Sequence, residues 1–240
     1  LPEYPRPQLR RDSYLNLNGR WQYAIRNGKE KEPDSYDGEI IVPFSPESFL
    51  SGVMKKVMPE DRLWYRRTFT LPEGFRKDRV LLHFGAVDQS CQVFVNGRLA
   101  GSHEGGYLPF TCDITDALTE VENTLTVAVT DATSRSRHAY GKQSFRPGGI
   151  WYTPQSGIWQ TVWLESVPEN YVEQLTIIPD LDHKRVRLVL QAKDRITELA
   201  DISLEIARMA VTPEDGRELP DWFVVELFRD LPRLADKRNG

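Results

Sequence analysis

Short stretches in which apolar and polar residues alternate, each closed by turn-forming residues, organise the first two-thirds of the chain. Between residues 20 and 26 the alternation puts Trp21, Tyr23 and Ile25 on one face, the period-two signature of a strand with one buried side. Comparable runs predict strands at residues 39–43, 63–71, 80–84, 90–95, 98–103, 107–111 and 123–130. Asn96-Gly97 separates two of them, and both residues tolerate the positive φ of a tight hairpin turn. Residues 113–118, DITDAL, read as one short helical turn capped by Asp113 or Thr115. Many short strands with turns between them describe a β-sandwich or jelly roll.

Residues 146–165, RPGGIWYTPQSGIWQTVWLE, hold three of the six tryptophans. The run from Trp159 to Leu164 has the aromatic and β-branched content of a strand buried on at least one face. Ahead of it, Pro147-Gly148-Gly149 and Pro154-Gln155-Ser156-Gly157 are turn chemistry that delivers Trp151 and Tyr152 on a loop. Near Val167-Pro168 the chain changes character. Strands are predicted at residues 171–179 and 186–191, and then Leu199, Ile202, Ile206 and Met209 recur at the helical spacing of three and four. The tail 231–240 reads as a frayed end.

Composition narrows the function classes. A net charge of −4 over 240 residues lacks the clustered basic excess that nucleic acid or an anionic membrane surface requires. The densest basic group, Lys55, Lys56, Arg62, Arg66 and Arg67, is broken by acids and aromatics and reads as a solvated strand edge. No apolar run approaches the ~20 residues of a membrane span. The chain begins at Leu1 rather than Met, which fits a removed leader or a trimmed end and leaves a cytoplasmic, periplasmic or secreted location open. Cys91 and Cys112 lie in apolar segments without CxxC or Cys/His spacing, so they read as small buried residues, with a single cross-strand pair as the alternative. The histidines, at 83, 103, 138 and 183, show no metal-ligand spacing, and neither a metal nor a cofactor is expected.

The segment YTPQSGIWQTVWLE resembles the signature that closes the N-terminal β-domain of glycoside hydrolase family 2, the family of β-galactosidases, β-glucuronidases and β-mannosidases. YPRPQLRRDSYLNLNGRWQYAI, IIVPFSPESFLSGV, LWYRRTFTLP, VLLHFGAVDQSCQVFVNGRLAGSHEGGYLPFTCDIT and NTLTVAVTD agree in the same order, so the resemblance covers roughly residues 4–166. It implies an all-β chain: a galactose-binding-like jelly-roll sandwich over residues 1–167, then a partial or divergent immunoglobulin-like sandwich over 168–240. The residues after Pro168 fall short of the ~100 that a complete sandwich of that type takes.

The resemblance also implies a parent enzyme that hydrolyses terminal β-linked sugars by retention, with two glutamates roughly 5–5.5 Å apart in a (β/α)₈ barrel. Such a barrel takes about 250 residues of its own. With residues 1–166 committed to a β domain, no catalytic pair is expected here, and the chain alone is expected to be inactive. Its partners would be carbohydrate and the catalytic barrel. Two other readings stand beside this one, a stand-alone lectin-like module and a purely structural interdomain module.

The loop carboxylates Glu60, Asp61, Asp88, Glu104 and Asp113 are candidates for acid–base chemistry, but nothing in their sequence neighbourhood predicts the desolvation that role requires. Candidate sugar contacts are Trp151, Tyr152, Asp61, His103 and Glu104. Aligning Ser156-Gly157-Ile158 on the family signature sets Trp151 where β-galactosidases and β-glucuronidases carry an aspartate, so Trp151 would either stack on a sugar face in place of a polar contact or plug a domain interface. The family places Asp61 near the active site. The HEGGY stretch, residues 103–107, supports two readings: a loop that approaches a ligand closely, or a turn whose Tyr107 and Phe110 pack in the core.

Overall fold

In the computed structural model, which describes residues 4–28, 31–180, 182, 185–193 and 224–228, the alternating runs become strands of two stacked sheets. Chain contacts divide the molecule into two units, Leu1–Pro5 with Arg11–Val167, and Arg6–Arg10 with Pro168–Gly240. The strands of the first are β1 (Tyr14–Asn16), β2 (Gly19–Asn27), β3 (Gly38–Val42), β4 (Asp61–Phe69), β5 (Arg79–Phe84), β6 (Val87–Asp88), β7 (Ser90–Val95), β8 (Arg98–Glu104), β9 (Phe110–Asp113), β10 (Asn123–Thr130), β11 (Gly157–Ile158) and β12 (Val162–Val167). One sheet runs β1-β12-β5-β9 and the other β3-β2-β4-β10-β7-β8, while β6 and β11 form a short ribbon of their own.

The named strands of this unit pair antiparallel, and outside them Gln143 and Tyr152 form an isolated parallel bridge. Inward residues of the two sheets, among them Leu82, Phe84 and Leu164 on one and Leu63, Tyr65, Val93 and Val127 on the other, meet in one apolar core. Trp21 and Tyr23 of β2 point into it, and the Trp21 ring sits edge-on to Tyr65 at 6.2 Å. The outer face of the larger sheet carries a smaller cluster, Ala24, Trp64 and Ala128, with Tyr36 and Phe94 against it. Both faces of β12 are buried. Its outward Glu165 accepts hydrogen bonds from Tyr4 Oη at 2.6 Å and Arg11 Nε at 3.3 Å, with His83 Nε2 3.2 Å away.

The turns follow their chemistry. Asn96 and Gly97 both have positive φ, 51° and 76°, and join β7 to β8. The 113–118 segment forms a single 3-10 turn at Thr115–Ala117, and Asp113 Oδ1 accepts the Thr115 N–H at 3.1 Å. Cys91 and Cys112 are free thiols in the core, and burial pushes them up to about 12 and about 11. The basic group is less exposed than its composition suggested. Arg67 Nη1 donates to the Leu17 and Asn18 carbonyls at 2.6 and 2.9 Å while its guanidinium lies over Trp21. A long apolar stem lets an arginine bury this way when carbonyls receive the charge.

Two predicted strands start late. The run at 159–164 becomes β12 from Val162, because Trp159 and Gln160 are diverted around Gly85. A Cβ at Gly85 would come within 2.6 Å of the Gln160 Cβ, and Gly85 N–H donates to Thr161 at 2.9 Å. Similarly, β9 begins at Phe110, leaving Tyr107 in a bend and 47% exposed.

The second unit contains β13 (Val172–Asp180), β14 (Arg185–Ala192) and β15 (Val224–Phe228). β13 and β14 pair antiparallel with a register shift at Val172/Gln174, and β15 pairs parallel to β14. The helical periodicity at Leu199–Met209, His183 and the tail at 231–240 lie outside the described residues.

Gly157 closes the fold at the point where β11 meets the core. Its φ is +81°, and a Cβ there would lie 2.0 Å from Tyr65 Oη, which also accepts the Ile158 N–H at 3.2 Å. Gly157→Ala is expected to lower unfolding stability in urea by ~2–4 kcal/mol, from left-handed strain plus overpacking. Tyr65→Phe is expected to cost ~1 kcal/mol through its lost hydrogen bond. Combined, the two changes should cost less than their sum, because removing the hydroxyl relieves the clash.

Candidate functional site

At one end of the first unit, loops between the strands enclose a cavity of about 380 Å³ lined by Asp88, Tyr107, Gln143, Tyr152, Thr153, Gln155 and Trp159. Three chain segments bring these residues together. Asp88 ends β6, where the 88–89 peptide is cis, and pairs with Gly157 of β11. Tyr107 comes from the Gly105-Gly106 bend, and the rest come from residues 143–159, ahead of β12.

The 143–152 loop is folded back on itself. Ser144 N–H donates to the Tyr152 carbonyl at 2.9 Å and Tyr152 N–H to the Lys142 carbonyl at 2.8 Å, while Gly148 and Trp151 exchange backbone bonds at 3.0 Å around the positive-φ Gly149. Trp159 Nε1 donates to the Gly106 carbonyl at 2.8 Å, and its ring meets Tyr107 edge-on at 6.1 Å. The two rings are thereby held at 74° to one another along the cavity wall.

Polar groups of this wall, with Ser45, form a connected chain. Ser45 Oγ donates to Gln155 Oε1 at 2.5 Å, Gln155 N–H to Gln143 Oε1 at 2.6 Å, and Gln143 Nε2 to Asp88 Oδ2 at 3.1 Å. A second set sits deeper. Ser156 Oγ donates to Asp131 Oδ2 at 2.8 Å, and Ser156 N–H donates to Glu47 Oε2 at 3.1 Å. Asp131 also accepts the Thr133 N–H at 2.6 Å, and Glu47 accepts the Val57 N–H at 3.2 Å. Burial raises the Glu47 carboxyl above its ordinary range despite these donors.

Asp88 is the exceptional member. It is 3% exposed, and its Oδ1 has no hydrogen-bond partner. That carboxyl packs against the Gly106 backbone so closely that a Cβ at Gly106 would lie within 2.4 Å of Oδ1. Burial raises Asp88 to about 7, and the charges of Asp131 and Glu47 push the same way, against the lowering effect of Gln143. The desolvated carboxylate that the sequence did not disclose is therefore Asp88. Its neighbours on the cavity wall are aromatic, amide or hydroxyl groups, so one carboxyl faces this space rather than a pair. Among the described residues, no group of three or more His, Cys, Asp or Glu is arranged to hold a metal ion.

The five residues singled out from sequence do not converge. Tyr152 lines the cavity. Trp151, 45% exposed, follows the glycine turn and is not on the wall. His103 and Glu104 end β8 and line a separate, more polar depression with Arg62 and Ser90, where His103 stacks on Phe110 at 4.4 Å. Asp61 opens β4, and its Oδ2 accepts the Met58 N–H at 2.9 Å to close a turn. The HEGGY stretch divides between its two readings: Phe110 packs against the core, whereas Tyr107 joins the cavity. The sequence pattern does not single out Gln143, Thr153, Gln155 or Trp159 as wall residues. Gln155 and Trp159 flank the turn-forming Ser156-Gly157, a local signal that this stretch is loop rather than strand.

The Asp88 environment carries a pH dependence whose sign is fixed. The folded chain holds this proton to a higher pH than the unfolded chain, whose ordinary value is 3.8. Stability from the protonated form is thus complete below about pH 4 and is lost as pH rises through about 7. Asp88→Asn should gain stability relative to wild type between pH 4 and 8, by on the order of 4 kcal/mol at most. Urea unfolding of both proteins at pH 5 and pH 8 checks this, with the gap expected to widen at pH 8.

Comparison with known proteins agrees with this architecture. Residues 46–158 match the family described as the glycosyl hydrolase 2 galactose-binding domain-like family. A β-galactosidase of Thermoanaerobacter pseudethanolicus is 26% identical over 172 residues, covering 69% of this chain and 22% of that protein. A putative β-glucuronidase of Formosa agariphila is 26% identical over 165 residues, covering 68% and 19%. Among solved structures, the β-glucuronidase of Faecalibacterium prausnitzii superposes with a TM-score of 0.60 at 26% identity, over 80% of this chain and 37% of that one. That of Lactobacillus rhamnosus gives a TM-score of 0.61 at 27% identity, over 80% and 35%. This chain spans between 19% and 37% of the length of these four relatives. Its first unit, a β-sandwich, thus resembles the galactose-binding-like N-terminal domain of glycoside hydrolase family 2 over residues 46–158.

Proposed function

We propose that this chain is the non-catalytic, sugar-contacting N-terminal region of a longer family 2 β-glycosidase that hydrolyses terminal β-linked sugars. Residues 168–240 then begin the immunoglobulin-like module that follows it. The observation behind this reading is the loop-end cavity, where Tyr107, Tyr152 and Trp159 supply aromatic surface around the Asp88, Gln143 and Gln155 polar groups. Aromatic faces match the C–H faces of a pyranose, and a few fixed amides and carboxyls orient its hydroxyls. With one carboxyl on its wall, the cavity offers no pair for glycoside cleavage, and the catalytic glutamates are assigned to a barrel outside these residues. The relatives' names divide between β-galactosidase and β-glucuronidase, a neutral and an acidic sugar, so the parent's substrate is a β-glycoside of one of these kinds.

A second role is favoured by the loop between β3 and β4. Around the 3-10 turn Phe49–Ser51, Phe49 is 78%, Leu50 60% and Met54 63% exposed. Apolar residues clustered this way suit a packing seam against another part of the parent enzyme, consistent with a structural share in the same accessory role.

The purified chain is expected to show no steady turnover of aryl β-glycosides, and to bind glycans weakly in a way that Tyr152→Ala reduces several-fold. Turnover by the pure chain would refute the accessory reading. Glycan binding unaffected by Tyr152→Ala would move the contact surface away from this cavity.

A further inference from the structure

The cavity wall has a charge character that bears on which sugar it accepts. Asp88 stands on it, and the carboxylates of Glu47 and Asp131 act on Asp88 from behind. Among the described residues, none of the lining side chains is Lys, Arg or His. Proteins that bind a sugar carboxylate ordinarily supply a guanidinium or ammonium, because a carboxylate moved out of water without a partner is strongly disfavoured. What this wall does offer is neutral hydrogen-bonding capacity. Gln143 and Gln155 each present an amide, Thr153 a hydroxyl and the tyrosines phenols, all of which donate and accept.

We propose that this cavity takes uncharged hexopyranosides and excludes uronic acids, so that the N-terminal domain of this chain contributes selectivity for neutral β-glycosides. The proposal rests on the reading of the cavity as a sugar site and narrows it to a substrate class. A hydroxymethyl group at C6 can exchange hydrogen bonds with the amides, whereas a C6 carboxylate would leave water for a wall with no Lys, Arg or His among its lining residues, next to an Asp88 on which Glu47 and Asp131 already act.

The test is an NMR titration of the ¹⁵N-labelled 240-residue chain. It follows the indole N–H of Trp159, which donates to the Gly106 carbonyl inside the site and is assigned by comparison with Trp159→Phe. Methyl β-D-galactopyranoside, methyl β-D-glucopyranoside and methyl β-D-glucuronide are added separately at fixed ionic strength. At least one neutral glycoside is expected to bind roughly tenfold or more tightly than the glucuronide, a difference of about 1.4 kcal/mol. Thr153→Arg, which sets a cation on the wall, is expected to strengthen glucuronide binding roughly tenfold. Glucuronide binding as tight as or tighter than both neutral sugars in the wild type would overturn the selectivity and leave the sugar site standing. An unchanged glucuronide affinity in a folded Thr153→Arg would also count against a charge-based exclusion. If none of the three sugars moves the Trp159 signal up to its solubility limit, the sugar-site reading itself falls, and the selectivity with it.

Discussion

The Asp131 carboxylate holds the functional end of this domain together. It is 1% exposed at the end of β10, and it is satisfied by the Thr133 backbone and hydroxyl and by Ser156 Oγ. Ser156 passes the tie to Glu47 through its own N–H, and Glu47 reaches on to Val57. Three loops distant in sequence, near residues 47, 131 and 156, are thereby fastened around buried oxygens by N–H and O–H donors. A buried carboxylate left without donors would be so costly that the loops have little freedom to leave this arrangement. Gly157 can then adopt its positive φ against the Tyr65 hydroxyl, and β11 can pair with β6.

The cavity depends on that fastening. With β6 and β11 fixed, Asp88 is pressed onto the Gly106 backbone, and Trp159 reaches the Gly106 carbonyl. Asp88 itself lacks what Asp131 has. One of its oxygens takes the Gln143 amide while the other has no partner, and it is the member of the group that faces the cavity. An incompletely satisfied buried polar group is where local stability is given up for a binding capability.

The other buried charges of the domain are neutralised differently. Glu165 on the outer face of β12 has Arg11 and Tyr4 on it, and Arg67 discharges into two backbone carbonyls beneath Trp21. Cations thus serve Glu165 on the flank, while hydroxyls and amides serve Asp131 and Asp88 at the loop end. That segregation leaves the cavity without a positive side chain among its lining residues.

Most of the sandwich was legible in the chain because strand periodicity and turn chemistry are local. The alternation of Trp21 and Tyr23 follows from the two-residue repeat of a strand, and Asn96-Gly97 turns the chain whatever surrounds it. The strands β7 at 90–95 and β10 at 123–130 lie where their apolar runs lie. The stretches that resemble family 2 enzymes, VPFSPES, GAVDQS, HEGGY, VAVTD and YTPQSGIW, also contain the residues that meet at the loop end. Their meeting was not legible, because it is made by hydrogen bonds and steric contacts between residues separated by up to 110 positions, and no spacing along the chain encodes these. Trp159 reads as the start of a strand until Gly85 and Gln160 compete for the same space. Asp88 reads as a loop carboxylate in water until Gly106 closes over it. Burial is a property of what arrives from elsewhere in the fold, and the protonation of Asp88 and the charge of the cavity follow from burial.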